Sequence, residues 1–372
     1  MNDRPTIKDV ARLAQVHFTT VSMAMRGHPS IPAVTRERIL ATANRIGYQR
    51  NEVFSALTRR RSNFGGGYLT PRIAYLANQS PEEGYLKVAH NVLFVAGARR
   101  QAEALGYDFE LVYVAPGHHD SRSLDHYLKS RSIRGFIIGS FIPGRPDLGV
   151  DWNDYAVAKI NSRHVAPGVP FVSNDQYGEV RCAFSNLRRL GYRRIGLAVG
   201  QPDEQVTDGM HQSALLLEQA GIPARDRVPP LLFPTEANTS REVVPLLRAW
   251  IRSHRPDAVL CTWATIADMI REAGFDCPGK VACASLCLSK PDPAVAGIVA
   301  SLEPVGEQAA SLLVAALRAE TRGIPSLATA TYVRGTWFDG ATAPNRVTTM
   351  TEARGRSPEG MTSRSSYQIP KQ

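Results

Sequence analysis

The side chains in this chain whose types and spacing could act on another molecule gather near its N-terminus. Thr19, Thr20, Ser22 and Met23 are interleaved with Val21, Ala24 and Met25, whose recurrence at helical spacing predicts a short helix with those three facing inward. The first four are then left on the outer face. Short hydroxyl side chains there suit a helix that must approach base edges and phosphates in a major groove. The chemistry expected is noncovalent recognition of a polyanion. No Ser-His-Asp set, metal cluster, P-loop or GxGxxG run stands in a usable context, so no catalytic residue, cofactor or metal is expected. The five cysteines, Cys182, Cys261, Cys277, Cys283 and Cys287, are odd in number. They include no C-x-x-C pair and no histidine at ligand spacing, which predicts buried free thiols.

The elements that must position this surface can be read on either side of it. Thr6 precedes the periodic run Ile7, Val10, Ala11, Ala14, with Asp9 three residues later, a capping-box-like start for a helix from Ile7 to about Ala14. A third pattern, Val34, Ile39, Ala43, Ile46, starts near Thr35 and ends at Gly47, which suits a C-terminal cap. A small residue at the crossing, Ala11, an apolar one just past the turn, Val16, and another mid-helix, Val21, let two short helices pack steeply as a helix-turn-helix. Any small three-helix bundle shows similar periodicity. Pattern alone leaves both readings open.

Charge divides unevenly along the 372 residues. The net +10 comes from residues 1–63, with Lys8 and ten arginines against four acidic groups, and from residues 340–372, with five basic and two acidic groups. The stretch between them is neutral. A basic head before a neutral body is the layout of a protein whose head alone meets a polyanion, although a solvated charged face gives the same count. With 43% hydrophobic residues and no apolar run near the roughly eighteen needed to span a bilayer, a soluble globular protein with no membrane partner is expected. The opening MNDRPTIKDVA lacks the apolar stretch of a secretory signal, which predicts a cytoplasmic protein.

Such a length exceeds one ordinary core. After an Asn63–Gly67 connector, strand-like runs at 73–77, 109–114, 135–139 and 156–160, then 195–199, 258–262 and 281–285, alternate with helical ones. The expected architecture is an all-α helix-turn-helix head joined to a bilobed α/β body of parallel sheets. Ligands of such folds bind in the cleft at the strand ends. The domains are expected at 1–50 (head), 51–67 (hinge and linker), 68–339 (body) and 340–372, a tail rich in Ser, Thr, Pro, Gly and Arg expected to be disordered.

The string Thr6-Ile7-Lys8-Asp9-Val10-Ala11, then Thr20-Val21-Ser22, Thr35-Arg36-Glu37-Arg38-Ile39 and Ile46-Gly47-Tyr48 with Asn51 and Leu57, resembles the head of the lactose-repressor (LacI/GalR) family in order and spacing. The likeness continues through Gly106-Tyr107, Gly135 to Ile138, Asn174-Asp175, Gly178 and Leu190 to Ile195, and so to about Phe338. It implies a periplasmic-binding-protein-like sensor body. It also implies a dimeric or tetrameric regulator of a near-palindromic DNA operator, answering to a small molecule.

Carried over residue by residue, the resemblance assigns base reading to Phe18, Thr19 and Met23 and phosphate positioning to Thr6, His17, Thr20, Ser22 and Arg26. Residues 51–58 match a hinge helix that orders on DNA, with Asn51, Phe54 and Leu57 at the minor groove and Leu57 as its wedge. Asp175 is expected to cap a helix where one lobe crosses to the other. Asn78, Trp263 and Cys287 fall at effector positions.

Departures from the family are specific. Gln15 replaces a turn glycine, Met23 a frequent arginine, Arg50 a proline and Phe54 an alanine. In the cleft, Gly209 stands for a sugar-gripping arginine, Trp263-Ala264 for an Asn-Asp pair and Ser285 to Leu288 for Gly-Phe-Asp-Asp. Few groups remain to hydrogen-bond a sugar, while Trp263 keeps a face on which one could stack. The effector is therefore expected to be less polar, or the cleft to be a core without a ligand. The rival readings are a solute-binding protein or enzyme built on the same body, and a DNA-binding protein whose body only dimerises.

Overall fold

The computed structural model describes residues 7–25, 31–45, 70–115, 117–120, 123–142, 148–162, 165–234 and 240–347. It divides after Thr70 into a head and a body.

In the head, α1 (Ile7–Leu13), α2 (Phe18–Met25) and α3 (Ala33–Arg45) enclose a core of Val10, Ala11, Ala14, Val21, Ala24, Ile31, Ile39 and Ala43. The turn after α1 follows from its backbone. Gln15 adopts φ 53°, its N–H donates to the Arg12 carbonyl at 3.3 Å, and the Val16 N–H reaches back to the Ala11 carbonyl at 3.0 Å. This is the paired closure of a left-handed helix end, with half-buried Val16 folding onto the core. The glycine expected at the position is thus replaced by a glutamine in the same left-handed conformation, at a cost of about 1 kcal/mol.

Two expectations for the head change. Val34 is 79% exposed; it precedes Ile39 by five residues, about 140° around a helix, and so lies off the face that buries Ile39, Thr42 and Ala43. Met23 is half-buried and packs against the head core, where the sequence placed it outward.

The body builds two six-stranded sheets. The first runs β11-β5-β4-β3-β1-β2, from β1 (Arg72–Ala77), β2 (Asp108–Tyr113), β3 (Gly135–Ile138), β4 (Ala156–Ile160), β5 (Phe171–Asn174) and β11 (Ala330–Val333). The second runs β12-β10-β9-β8-β6-β7, from β6 (Ile195–Gly200), β7 (Leu231–Phe233), β8 (Ala258–Cys261), β9 (Ala282–Leu288), β10 (Gly297–Val299) and β12 (Thr336–Phe338). All pairings are parallel except β10 with β12. The alternation of β1 shows why both faces need cover. Ile73, Tyr75 and Ala77 enter one core with α4 (Ala89–Ala104) and α11 (Leu302–Arg318), while Ala74 and Leu76 enter the other with α5 (Ser123–Ser130). Around the second sheet, α6 (Gln176–Arg189) and α8 (Met210–Ala220) cover one face, and α9 (Ser240–His254) and α10 (Ile266–Glu272) the other.

Helices α4 and α11 touch backbone to backbone. A Cβ at Gly97 would sit 2.1 Å from the Glu303 carbonyl, and one at Gly306 would sit 2.2 Å from that of Phe94. Only paired glycines permit so close a crossing.

The chain passes between the sheets three times, at β5 to α6, β10 to α11 and β11 to β12. Five short strands, β5, β7, β10, β11 and β12, carry no signal in the sequence pattern. Residues 340–347, assigned by composition to the tail, belong to the second lobe. Thr342 and Ala343 are buried, and the Cys283 N–H donates to the Thr342 carbonyl at 3.0 Å. The phenolic hydroxyl of Tyr192 donates to the Pro344 carbonyl at 2.8 Å. All five cysteines are free thiols, three buried and two half-buried.

Candidate nucleic-acid interface and inter-lobe cleft

In the head, α2 carries the residues expected to read bases. Phe18 and Thr19 form its first two positions, with Thr20, Ser22 and Met23 following within the next turn. The helix is started by His17, whose carbonyl accepts from the Val21 N–H at 3.2 Å. Val21 and Ala24 anchor it in the core at 0% and 2% exposure, which fixes its rotation about its own axis. His17 is exposed and Thr20 half-buried. Because Met23 packs partly inward, less of its thioether is left for a base than the sequence implied. Thr6, Arg26, Asn51, Phe54 and Leu57 lie outside the described residues.

In the body, the C-terminal ends of the parallel strands carry the candidate ligand positions. Asn78, just after β1, is 2% exposed. Its amide donates to the Ile142 carbonyl at 2.9 Å, and its oxygen accepts from the Ile142 N–H at 3.1 Å. This bidentate clasp holds the segment after β3, so the side chain is occupied with loop geometry. Trp263 follows β8 and leans on Phe233, with centroids 5.8 Å apart and planes tilted by 47°. Cys287 lies near the end of β9 and packs against the core of the first lobe. Burial first, then the charges of Glu179 and Asp203, push its thiol up to about 12. A thiol so held stays protonated and is a poor nucleophile.

The structure adds residues that the sequence did not single out. Asp203, three residues past β6 in α7 (Gln201–Thr207), accepts from the Thr262 hydroxyl at 2.9 Å. Its charge also acts on His90, at the start of α4 in the other lobe, where burial lowers the imidazole pKa and Asp203 works against that shift. His90 in turn packs on Phe94 at 5.9 Å. Next to Asp203 in α7, the Glu204 carboxylate meets His211 Nδ1 at 2.6 Å and the Gln212 side chain at 3.0 Å. Burial opposes ionisation there, but these hydrogen bonds hold Glu204 below its usual value. A depression of about 420 Å³, lined by Gln201, Glu204, Gln205, Asp208, Gly209 and Gln212, opens at this corner. The position after a parallel strand is the one signal that could have located Asp203. His90 carries none.

Asp175 does what its place in the sequence implied. It precedes α6, and its Oδ1 accepts from the Gly178 N–H at 2.9 Å as an N-cap. Among the described residues no group of three or more metal-ligating side chains occurs, and no helix is long and apolar enough to cross a membrane.

Comparison with known proteins separates head from body. Residues 6–51 match the family described as bacterial regulatory proteins, lacI family. Residues 184–336 match a periplasmic binding protein-like domain. An uncharacterised HTH-type transcriptional regulator in the aml 5' region of Streptomyces limosus is 33% identical over 54% of this chain and 54% of its own length. MalR of Streptomyces coelicolor is 29% identical over 52% of this chain and 53% of its own length. IpsA of Corynebacterium glutamicum is 27% identical over 76% and 81%, respectively. The chain spans about half the length of the two Streptomyces relatives it matches.

Among solved structures, a CelR transcriptional regulator in complex with cellobiose superposes with a TM-score of 0.55 at 19% identity, covering 91% of this chain and all of that one. A lac repressor dimer bound to operator and the anti-inducer ONPF gives 0.53 at 16% identity, covering 92% and 100%. At those identities the likeness is one of fold.

Proposed function

We propose that this chain, whose residues 6–51 match the lacI family of regulatory proteins and whose residues 184–336 match a periplasmic binding protein-like domain, is a transcriptional regulator, most simply a repressor, and not an enzyme. It binds double-stranded DNA in the cytoplasm as a homodimer on a near-palindromic operator. The observation that carries this reading is the α1-turn-α2 unit closed at Gln15, with the hydroxyl-rich start of α2 held in register by Val21 and Ala24.

Phe18, Thr19 and the exposed part of Met23 read base edges. His17, Thr20 and Ser22, together with Thr6 and Arg26, position the helix on the phosphates. Asn51, Phe54 and Leu57 contribute contacts to the minor groove, with Leu57 as the wedge. A groove of about 620 Å³ on the first lobe, with Leu86, Val92 and Val95 in its lining, supplies an apolar face for the partner subunit.

The body senses a small molecule between the lobes. Trp263 offers an aromatic face, and Asp203 with His90 offers polar contacts, a set that fits an effector with a flat apolar face and few hydroxyls, a carbohydrate stacked on Trp263 included. Effector and operator binding are then linked by about 1 to 3 kcal/mol, reciprocally. The engaged amide of Asn78 and the protonated Cys287 also fit a second reading, in which the body only dimerises. Operator affinity that no small molecule changes would select that second reading.

Mobility-shift titrations with base-substituted operators test the central assignment. Thr19→Ala is expected to change which bases are preferred; equal weakening on every sequence would remove Thr19 from the reading set.

A further inference from the structure

The three passages between the lobes meet at one buried carboxyl. The Asp175 N–H, at the first passage, donates to the Val333 carbonyl at the third, at 3.0 Å. The Ser301 hydroxyl, at the second, donates to the Arg334 carbonyl at 2.7 Å. Arg334 in turn places its Nε 3.4 Å from Asp175 Oδ2. Glu179, one turn into α6, is 5% exposed inside this junction.

A Cβ at Gly335 would come within 2.9 Å of both Glu179 Oε1 and the Val299 carbonyl oxygen, and within 2.5 Å of Ile298. Glu179 Oε1 and the ends of the second and third crossovers thus close around Gly335, which leaves no room for a side chain there. Glu179 Oε1 and Asn174 Nδ2 are both buried and neither makes a hydrogen bond of good geometry, so the amide compensates the carboxyl only in part. A carboxylate in such a place is costly, because it is cut off from water and only partly hydrogen-bonded. A neutral carboxylic acid is tolerated there.

We propose that Glu179 is a proton-operated latch on the lobe hinge. Protonated, it keeps the junction closed as seen here; ionised, it favours an arrangement of the crossovers that admits water to the carboxylate. The groups around it agree in direction. Burial first, then the negative Asp175 on its own crossover, push Glu179 up to about 8, and the Asn174 amide and Gly335 N–H offset only part of this. From β9 it faces the Cys287 thiol, whose own pKa is raised by burial and by Glu179. From β10 it faces backbone and Ile298. The Arg334 guanidinium of the third crossover is 88% exposed and lies beside Asp175.

The sign follows from linkage. The closed junction holds a proton that the hydrated one releases near the ordinary value of 4.5. The preference for closure is therefore complete below about 4.5, falls roughly tenfold per pH unit above it, and is lost once pH passes about 8. Such a hinge couples lobe geometry to pH without any ligand, and it stands whether or not the head binds DNA.

Hydrogen exchange on the full-length chain tests this in the segment 330–338, with rates corrected for the intrinsic pH dependence of exchange. Protection in the wild type is expected to fall between pH 5 and 8 and then level off. In Glu179→Gln, which keeps the shape but cannot ionise, it should stay flat. The same fall in Glu179→Gln, or no fall in the wild type, would overturn the latch. Should that variant not fold, carbon-13 carboxyl NMR of glutamate-labelled wild type takes its place. A carboxyl titrating above pH 7 supports the proposal, and its absence refutes it.

Discussion

The head and the cleft, the two proposed binding surfaces, hold their candidate side chains in opposite ways. In the head the presenting residues are consecutive on one eight-residue helix, and their geometry follows from local rules: helical spacing, a left-handed cap at Gln15 and two small buried anchors. In the cleft, each contributor comes from a different strand end, and its availability depends on neighbours far away in sequence. Asn78 shows the consequence. Its type suits a ligand contact, yet both ends of its amide are bound to Ile142, sixty-four residues on.

Removing the anchor of the head puts its self-sufficiency at risk. Ile39→Ala, at a fully buried site, is expected to destabilise the head by about 2 to 5 kcal/mol and abolish DNA binding. The body's thermal transition should be unchanged, as calorimetry of the full chain would show. A shift of both transitions together would mean that the two units do not fold independently.

A smaller effect is expected in the cleft from Asn78→Ala, about 1 to 3 kcal/mol of body stability, because the Ile142 N–H and carbonyl lose their partners. The discriminating measurement is urea denaturation beside operator titration. If stability were unchanged while effector response vanished, Asn78 would be a ligand contact after all. The smallest expected effect concerns the local rules of the head. Gln15→Gly should stabilise the head by about 1 kcal/mol, since glycine reaches φ 53° without the penalty borne by glutamine. A loss of stability would show that the Gln15 side chain contributes more than its backbone costs.

How much was legible in the sequence follows the same division. The runs at 73–77, 156–160 and 195–199 are long and buried on both faces, so their apolar character alone located β1, β4 and β6. Strands β7, β10 and β12 are three residues each and β5 and β11 four, too short for periodicity, and β11 and β12 are only partly buried. Val34 fits the apolar composition of α3 but lies about 140° from Ile39, so composition without angle puts it wrongly in the core. Residues 340–347 looked like tail by composition, while Thr342 and Tyr192 hold them to the lobe through hydrogen bonds that no pattern carries.

The site residues divide alike. Asp175 was readable as a cap, because the cap and the Gly178 N–H it binds are three residues apart. His90, Asp203 and Glu179 acquire their character only when the lobes meet.

Whether α2 reads DNA sequence is decided by selecting binding sites from a random double-stranded DNA pool with the purified full-length chain. One near-palindromic sequence should be enriched, and its half-sites should change at particular bases when Thr19 is replaced. Recovery of DNA with no sequence in common, or of none at all, would contradict sequence-specific recognition by this head.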